Sequence, residues 1–437
     1  MSLHSLTLGK LSRLAAPIIL ANLASPLLGL VDTAVIGHLG DATLLAALAL
    51  ATMIFNFIFW GFGFLRMGTT ALVAQARGRS DLRAANDILG RSLLLAVALG
   101  GLLWLIQIPL QLLVFHLTGA SEAVERSAST YYEIRIWGAP VHLMLLGVMG
   151  YLLGQQRTGQ VLALQIFLNS SNIVLDLIFV VGLDYGVGGV AAGTVSAELI
   201  TLIVAYRWLT AASRRDGEGL VIERLFNFVA IKKLIAVNRD IMIRTLSIIF
   251  AFAWFTDRGA RLGDDYLAAN LLLMQFVAFS AFFIDGFAIA SESLMGEAHG
   301  RAKRSEVTAI IRSAFVAGLG VATLLTLCFV FIQAPTLNAL TSNQTIVDLA
   351  NDYALWMLLT PLISFAAYIY DGLFIGATKT RAMRNAMLVS LLIYLLAWFF
   401  TQNLYNHGLW LALMIYYVAR AGSLAYHHNE LYQFNQR

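Results

Sequence analysis

Apolar segments long enough to cross a lipid bilayer recur along the whole of this 437-residue chain. A spanning α-helix needs about 20 mostly apolar residues, because backbone polar groups inside the hydrocarbon must be bonded within the segment. Hydropathy predicts twelve spans, with approximate limits 13–37, 44–73, 88–115, 131–154, 161–183, 187–210, 238–258, 266–294, 307–333, 351–376, 384–402 and 408–427. The sequence left between them is too short for a large soluble domain.

Composition supports an all-α integral membrane protein. Hydrophobic residues make up 59% of the chain and charged residues 12%, whereas soluble proteins carry roughly 25% charged residues. The mean hydropathy is +0.76. A single cysteine, Cys328, excludes an internal disulfide framework and a cysteine metal cluster. The first apolar run is too long for the core of a signal peptide, so we interpret it as a span of the mature protein.

The basic residues predict the orientation. With the N-terminus in the cytoplasm, twenty-four of the 29 Lys and Arg residues fall on the cytoplasmic side, four fall outside, and Arg66 lies within a span. Cytoplasmic loops carry an excess of Lys and Arg. We therefore expect both termini in the cytoplasm, and this bias explains the basic loops without a nucleic-acid partner.

An internal repeat divides the chain into two halves. LVAQARGR, ending at Arg79, recurs as LMGEAHGR, ending at Arg301, an offset of 222 residues. The predicted organisation is an N-terminal lobe of six helices (1–210), a cytoplasmic linker with an amphipathic segment (211–237) and a C-terminal lobe of six helices (238–437). Since six is even, both lobes enter the membrane in the same direction. We expect a pseudo-twofold axis along the membrane normal, as in secondary transporters.

The segment LVDTAVIGH, Leu30–His38, places a carboxylate, Asp32, inside the first span. A carboxylate in hydrocarbon costs several kcal/mol unless it is compensated. Asp32 lies about 6 Å from the outer end of the span, at 1.5 Å per residue. From this span alone, an interfacial carboxylate that reaches water is an open alternative.

The fifth span carries a second carboxylate among amides. Asn169, Asn172 and Asp176 are three and four residues apart, so they share one helix face. Asp176 lies about 10 Å from the outer end of its span, a depth similar to that of Asp32. Tyr131 and Thr194, near the outer ends of the fourth and sixth spans, fall in the same layer. A polar stripe that holds helices together is the alternative interpretation.

The second half of the repeat provides an internal control. At the same offset Asp32 corresponds to Trp254, Asp176 to Trp398 and Asn172 to Tyr394. The fold is therefore expected to form without these carboxylates, which favours a functional role. Two carboxylates in a low dielectric repel each other when both are ionised. Such a pair can take up and release a proton, or hold a small cation.

Two prolines and four other charged residues are weaker candidates. Pro17 and Pro26 interrupt the hydrogen bonding of the first helix, which fits either a static kink or a bend during function. Secondary candidates inside the spans are Asp285, Glu292, Asp371 and Arg66. Ion pairing or snorkelling explains most such residues.

Other motifs give no support for an enzyme. GVGGVAAG, Gly186–Gly193, imitates a dinucleotide fingerprint but opens a membrane span with no βαβ unit around it. Small residues for close helix packing are the better interpretation. The eight histidines show no ligand spacing, and no nucleophile triad or phosphate loop is present in the sequence.

Six stretches resemble the multidrug and toxic compound extrusion (MATE) transporters, and their DNA-damage-inducible branch in particular: LVDTAVIGHLG, FLRMGTTALVAQARG, NIVLDLIFVVGL, NRDIMIR, IDGFAIASE and DGLFIGATKTRAMRN. The resemblance implies twelve helices in two lobes around a V-shaped cavity. It also implies a bacterial inner-membrane protein, working as a monomer without a cofactor, that exports lipophilic and often cationic compounds. Protons are the expected coupling ion and Na⁺ the alternative.

The resemblance also implies roles for particular residues. It makes Asp32 the central proton site, joined by Asp176 and Asn172, with Tyr131 and Thr194 nearby, and it makes Pro17 the point at which the first helix bends. Sodium, if it is the coupling ion, is expected at Asp32, Asp176, Asn172 and Thr194. The chain departs from other branches of the family because its seventh span lacks a mid-membrane carboxylate, so coupling through the second lobe is not expected.

Two other kinds of transport protein were weighed. A lipid-linked precursor flippase of the same superfamily favours a strongly basic cavity, whereas Arg66 and Arg135 are the basic residues that the sequence places inside spans. A channel is disfavoured because two similar halves with buried titratable groups are typical of a carrier.

Overall fold

The computed structural model describes residues 3–216 and 222–434, which form sixteen α-helices. They are α1 (Leu3–Gly37), α2 (Ala42–Gly61), α3 (Phe64–Gly78), α4 (Leu82–Leu105), α5 (Gln107–Thr118), α6 (Glu122–Arg135), α7 (Ala139–Gly154), α8 (Thr158–Asp176), α9 (Gly186–Asp216), α10 (Ile222–Leu225), α11 (Phe228–Leu262), α12 (Asp264–Arg301), α13 (Arg304–Leu340), α14 (Gln344–Gly376), α15 (Thr380–Thr401) and α16 (Tyr405–Tyr426). Among these residues there is no β-strand.

These helices account for the twelve predicted spans. In the described part of the chain, ten stretches are long and apolar enough to cross a membrane, and one of them, Thr380–Tyr426, contains both α15 and α16. The seventh predicted span is α11, whose 35 residues include charged residues towards both ends. The second, third and fourth spans are each built from two consecutive helices, α2 with α3, α4 with α5, and α6 with α7.

The break in the fourth span has a local cause. A short 3₁₀ turn, Ile136–Gly138, separates α6 from α7, and Pro140 lies in the first turn of α7. Proline suits this position because the first N–H groups of a helix have no intrahelical partner. Gly138 is needed there because a Cβ would come 2.8 Å from both Nη1 of Arg135 and Cγ2 of Val195.

The chain forms two compact units. One comprises Leu20–Ile235, and the other comprises Met1–Ile19 with Ala236–Arg437. The first 19 residues therefore belong with the C-terminal part, whereas the sequence division placed the whole first helix in the N-terminal lobe. Two contacts explain this. Lys10 forms an ion pair with Glu297 at 3.0 Å, and Ile19 lies where Gly286 of α12 has no side chain.

The helix boundaries repeat at the offset found in the sequence. Helices that begin at Ala42, Leu82, Glu122 and Thr158 recur at Asp264, Arg304, Gln344 and Thr380, each 222 residues later. In the C-terminal unit the interior is aromatic, and the ring centroids of Phe255 and Trp410 lie 5.1 Å apart, edge to face.

The predicted amphipathic linker is described only in part. Residues 217–221 lie outside the described residues, as do the side chains of 211–223. Beyond them, Phe228 and Val229 at the start of α11 are 76% and 77% exposed, which suits an interfacial segment. Arg91 of α4 donates to the backbone carbonyls of Arg224 and Leu225, at 2.7 and 3.3 Å, and so fixes the linker to the N-terminal unit.

Candidate functional site

Asp32 and Asp176 meet inside the N-terminal unit, as their predicted depths suggested. Asp176 is the last residue of α8 and is fully buried, and Asp32 in α1 is half-buried. Their carboxyl groups are close enough to share a hydrogen bond when one of them is protonated. Oδ1 of Asp32 and Oδ2 of Asp176 accept no hydrogen bond from the described residues. Two ionised carboxylates in this position repel, so the pair has a physical need for a proton or a cation.

The backbone around Asp176 is irregular. Directly after it, Leu177–Gly182 forms a π-helical turn, a feature that is rare and frequently found at functional sites. Helix α9 passes close by, because a Cβ on Gly193 would collide with Oδ1 of Asp176. At Gly189 a Cβ would lie 3.1 Å from the backbone of Phe179. The interpretation of Gly186–Gly193 as a close-packing segment is confirmed.

Two amides tie α8 to its neighbours. Asn172, which is buried, donates from Nδ2 to Oδ1 of Asp176 at 3.2 Å and to Oγ1 of Thr194 at 3.3 Å. Asn169 donates to the backbone carbonyl of Ala24 in α1 at 2.9 Å, just before Pro26. The predicted stripe is therefore both a polar site and a contact between helices, which were offered as alternatives from the sequence.

Tyr131 joins the same group from α6. Its ring is 5% exposed. The hydroxyl lies within hydrogen-bond reach of Thr52 in α2 and within electrostatic range of Asp32. All six residues predicted for the main site or its support, Asp32, Asp176, Asn172, Asn169, Thr194 and Tyr131, therefore lie in one region of the N-terminal unit.

A cavity of about 400 Å³ opens beside Asp32. It is bounded by α1 and α2, with the following lining: Gly29, Asp32, Thr33, Leu48, Ala49, Thr52, Met53, Asn56, Phe57 and Trp60. The walls are mostly apolar and aromatic, and Asp32 is the ionisable side chain among them. An aromatic wall with one carboxylate suits a lipophilic cation, because ring faces and a carboxylate both attract positive charge.

The prolines of α1 lie within a continuous helix. Leu3–Gly37 is helical throughout, although each proline removes one backbone hydrogen bond. Pro17 belongs to the unit that contains the C-terminal helices, and Pro26 belongs to the N-terminal unit. A bend at Pro17 during function stays a prediction.

The secondary candidates do not join the site. Asp371 is buried between two arginines, Arg244 and Arg420, with Nη2 of Arg420 at 2.7 Å. Asp285 lies near Tyr368 and Tyr417 in the same C-terminal unit, where Glu292 is also buried. Arg66 is in the N-terminal unit, level with Gly150 of α7.

One cluster in the N-terminal unit was missed by the sequence analysis. Arg135 binds Glu198 through both terminal nitrogens, at 2.9 and 2.7 Å, and His142 lies 2.8 Å from the same carboxylate. Arg135 and Glu198 are 5% and 3% exposed. A signal was present, since Glu198 follows Thr194 by one turn and Arg135 follows Tyr131 by one turn. We name Arg135, His142 and Glu198 the inner cluster.

The basic groups do not form the cavity that a lipid-linked precursor flippase would favour. Three deeply buried arginines, Arg135, Arg244 and Arg420, are each bound to a carboxylate. Their positive charge is therefore already compensated by the protein.

A membrane-embedded helical bundle with buried titratable groups facing an apolar cavity defines a secondary transporter rather than an enzyme. The MatE family model matches residues 17–178 and 241–400, and the chain belongs to this family of multidrug and toxic compound efflux transporters.

Comparison with individual proteins agrees with this. The chain is 39% identical to DNA damage-inducible protein F of Escherichia coli over 415 residues, which cover 94% of this chain and 90% of that protein. It is 23% identical to a probable multidrug resistance protein NorM of Pasteurella multocida, over 86% of this chain and 82% of that one.

A solved structure has the same fold. The MATE transporter VcmN of Vibrio cholerae, in the bent form, superposes with a TM-score of 0.87 at 20% identity, covering 98% of each chain. The fold of this multi-pass membrane protein is thus the twelve-helix, two-lobe fold of the MATE transporters.

Proposed function

We propose that the protein is a proton-driven antiporter that exports lipophilic organic cations, with Asp32 and Asp176 as the coupling site. The observation that carries the proposal is the meeting of two carboxylates, one at the wall of an apolar cavity and the other fully buried behind it. A proton and a cationic substrate then compete for the same negative charge, which is the requirement for exchange.

The cycle follows from this competition. In the outward-facing state the ionised pair releases the substrate and takes up a proton. Protonation removes the repulsion between the carboxylates and permits the return, with a bend in α1 at Pro17. In the inward-facing state, loss of the proton restores the negative charge that binds the next cation. Driving the cycle requires only that the proton binds one state more tightly than the other.

Sodium is the alternative coupling ion. The oxygen atoms of Asp32, Asp176, Asn172 and Thr194 are the type of ligand that hard cations prefer. Oδ1 of Asn172 is buried and accepts no hydrogen bond from the described residues, which leaves it available to a cation.

Charge and competition are tested together by Asp32→Asn, which keeps the size and removes the titratable group. Wild type and variant are reconstituted into proteoliposomes, and transport of the permanent cation tetraphenylphosphonium is followed under an imposed pH gradient, with and without sodium. The matched control is Asp184→Asn, because Asp184 is exposed in the loop after α8 and has a φ of 56° that asparagine also accepts.

The expected result is gradient-driven transport by wild type and Asp184→Asn and loss of at least tenfold by Asp32→Asn. Transport driven by a sodium gradient alone would identify sodium as the coupling ion. Wild-type rates from Asp32→Asn would refute the assignment and leave Asp32 as an interfacial carboxylate.

A further inference from the structure

The inner cluster contains one more ionisable group than its ion pair requires. Arg135 alone balances the charge of Glu198, through two hydrogen bonds. His142 adds a third contact to the same carboxylate. The cluster is therefore neutral when His142 is neutral, and it carries one positive charge when His142 is protonated.

The geometry leaves His142 able to take up a proton. A carboxylate only accepts hydrogen bonds, so Nδ1 of His142 carries the hydrogen that points to Glu198. Nε2 then has the free lone pair, and a carboxylate on Nδ1 stabilises the imidazolium form. The side chain of His142 is 25% exposed, against 6% for Arg135 and 4% for Glu198. His142 is thus the member of the cluster that water reaches.

Few other charges face His142 from the helices packed around it. Glu198 comes from α9 and Arg135 from α6, and from α2 it receives the ring of Phe59, stacked at 4.0 Å. The stretch of α4 that packs along α7, residues 92–104, contains no titratable side chain. On α3, Arg66 lies level with Gly150, about two turns further along α7. On α8 the titratable group is Asp176.

Tyr131 lies between the inner cluster and the aspartate pair. It is one helical turn from Arg135 on α6 and feels the charges of Arg135, Glu198 and Asp32. The space between the two groups is therefore occupied by protein, with Tyr131 5% exposed. In such an environment a change of one charge is screened much less than in water.

We propose that His142 is a second proton-binding group of the transport cycle, and that its charge sets the proton affinity of the Asp32–Asp176 pair. A proton moves from water to Nε2, and the resulting positive charge holds the aspartates ionised until a higher proton concentration is reached. The same proton returns to water when the pair is protonated, since the attraction between the two groups is then weaker. This proposal rests on the proposed proton coupling at Asp32.

The test is the binding of tetraphenylphosphonium to the purified full-length protein as a function of pH. Protons compete with this cation for the pair, so binding weakens as the pH falls. His142→Asn keeps a donor in the position of Nδ1 but cannot be protonated. His427→Asn is the matched control, because Nδ1 of His427 also makes one hydrogen bond, to the carbonyl of Ser423, in the C-terminal unit.

In His142→Asn, the pH at which binding is half-lost should rise by about one unit, the effect of a unit charge roughly 10 Å away at an effective dielectric constant of about 20. Affinity at pH 9 should be unchanged, because there both proteins have a neutral residue 142. A structural role would instead weaken binding at every pH. An unshifted midpoint, or an equal loss of affinity across the range, overturns the proposal.

Two further measurements separate this proposal from the one on which it rests. If Asp32→Asn removes the pH dependence of binding while His142→Asn leaves the midpoint unchanged, proton coupling stands and the role of His142 fails. If wild-type binding does not depend on pH, the coupling proposal itself fails. Should His142→Asn not fold, the wild-type curve decides, since titration of two interacting groups must give a broader curve than a single site.

Discussion

Gly193 is the position at which a single methyl group should do most damage to the candidate site. Its Cα faces Asp176 so closely that an added Cβ would collide with Oδ1 and lie 3.2 Å from Cγ and 3.3 Å from the backbone nitrogen of Asp176. The backbone nitrogen cannot rotate away. Gly193→Ala must therefore push α9 away from α8 by a few tenths of an ångström, or drive the Asp176 side chain out of its place.

The cost can be estimated from two contributions. Overpacking a closely packed interior costs about 1–3 kcal/mol. The hydrogen bond from Asn172 to Thr194 is already 3.3 Å long, so separating the helices breaks it at a further cost of about 1 kcal/mol. With about 1.4 kcal/mol for each factor of ten, we expect transport to fall by tenfold or more and the melting temperature to fall by about 4–10 °C.

The assay compares Gly193→Ala with Gly101→Ala in proteoliposome transport and thermal unfolding. Gly101 lies in α4, and nothing lies within 4 Å of the position of its Cβ. Alanine is the better helix former by about 0.5–1 kcal/mol, so this control should be as stable as wild type or slightly more stable, and fully active. If Gly193→Ala behaves like Gly101→Ala, the close packing of α9 on Asp176 is not what shapes the site.

Two further predictions concern the C-terminal unit and the orientation. Asp371→Asn leaves Arg244 and Arg420 buried without a carboxylate, which should cost about 3–5 kcal/mol; thermal unfolding should show this loss, while transport by the remaining folded protein should still follow the pH gradient, and loss of that dependence would make Asp371 a coupling residue. In a Cys328→Ser background, a membrane-impermeant maleimide should label Ser121→Cys but not Ser305→Cys in whole cells, both positions being exposed; the reverse pattern would invert the predicted orientation.

The sequence predicted those features that depend on position along the chain and on depth in the membrane. The spans follow from apolar length, because the bilayer imposes a fixed thickness. The meeting of Asp32 and Asp176 was anticipated because both lie at similar depth on helices that run in the same direction. The internal repeat added the observation that Trp254 and Trp398 take their places in the second half, where the interior is aromatic.

Lateral pairing between helices was beyond the reach of the sequence alone. Depth places Arg135 and Glu198 one turn beyond Tyr131 and Thr194, but only the packing of α6 against α9 turns them into a bidentate pair and adds His142 from α7. Asp371 is a comparable case, since its two arginines come from α11 and α16, distant in sequence. The rotation of each helix about its axis decides such contacts, and it is set by the packing of all the neighbouring helices together.

The composition and periodicity of this chain by themselves determined that it is a helical membrane protein in two similar halves with a carboxylate layer in the first half, since these properties arise from local hydrophobicity and from the repeat. Tertiary structure decided the π-helical turn after Asp176, the close passage of Gly193 and the assignment of Met1–Ile19 to the C-terminal unit. Each of these depends on how closely two backbones approach, and that distance results from side chains that lie far apart in the sequence.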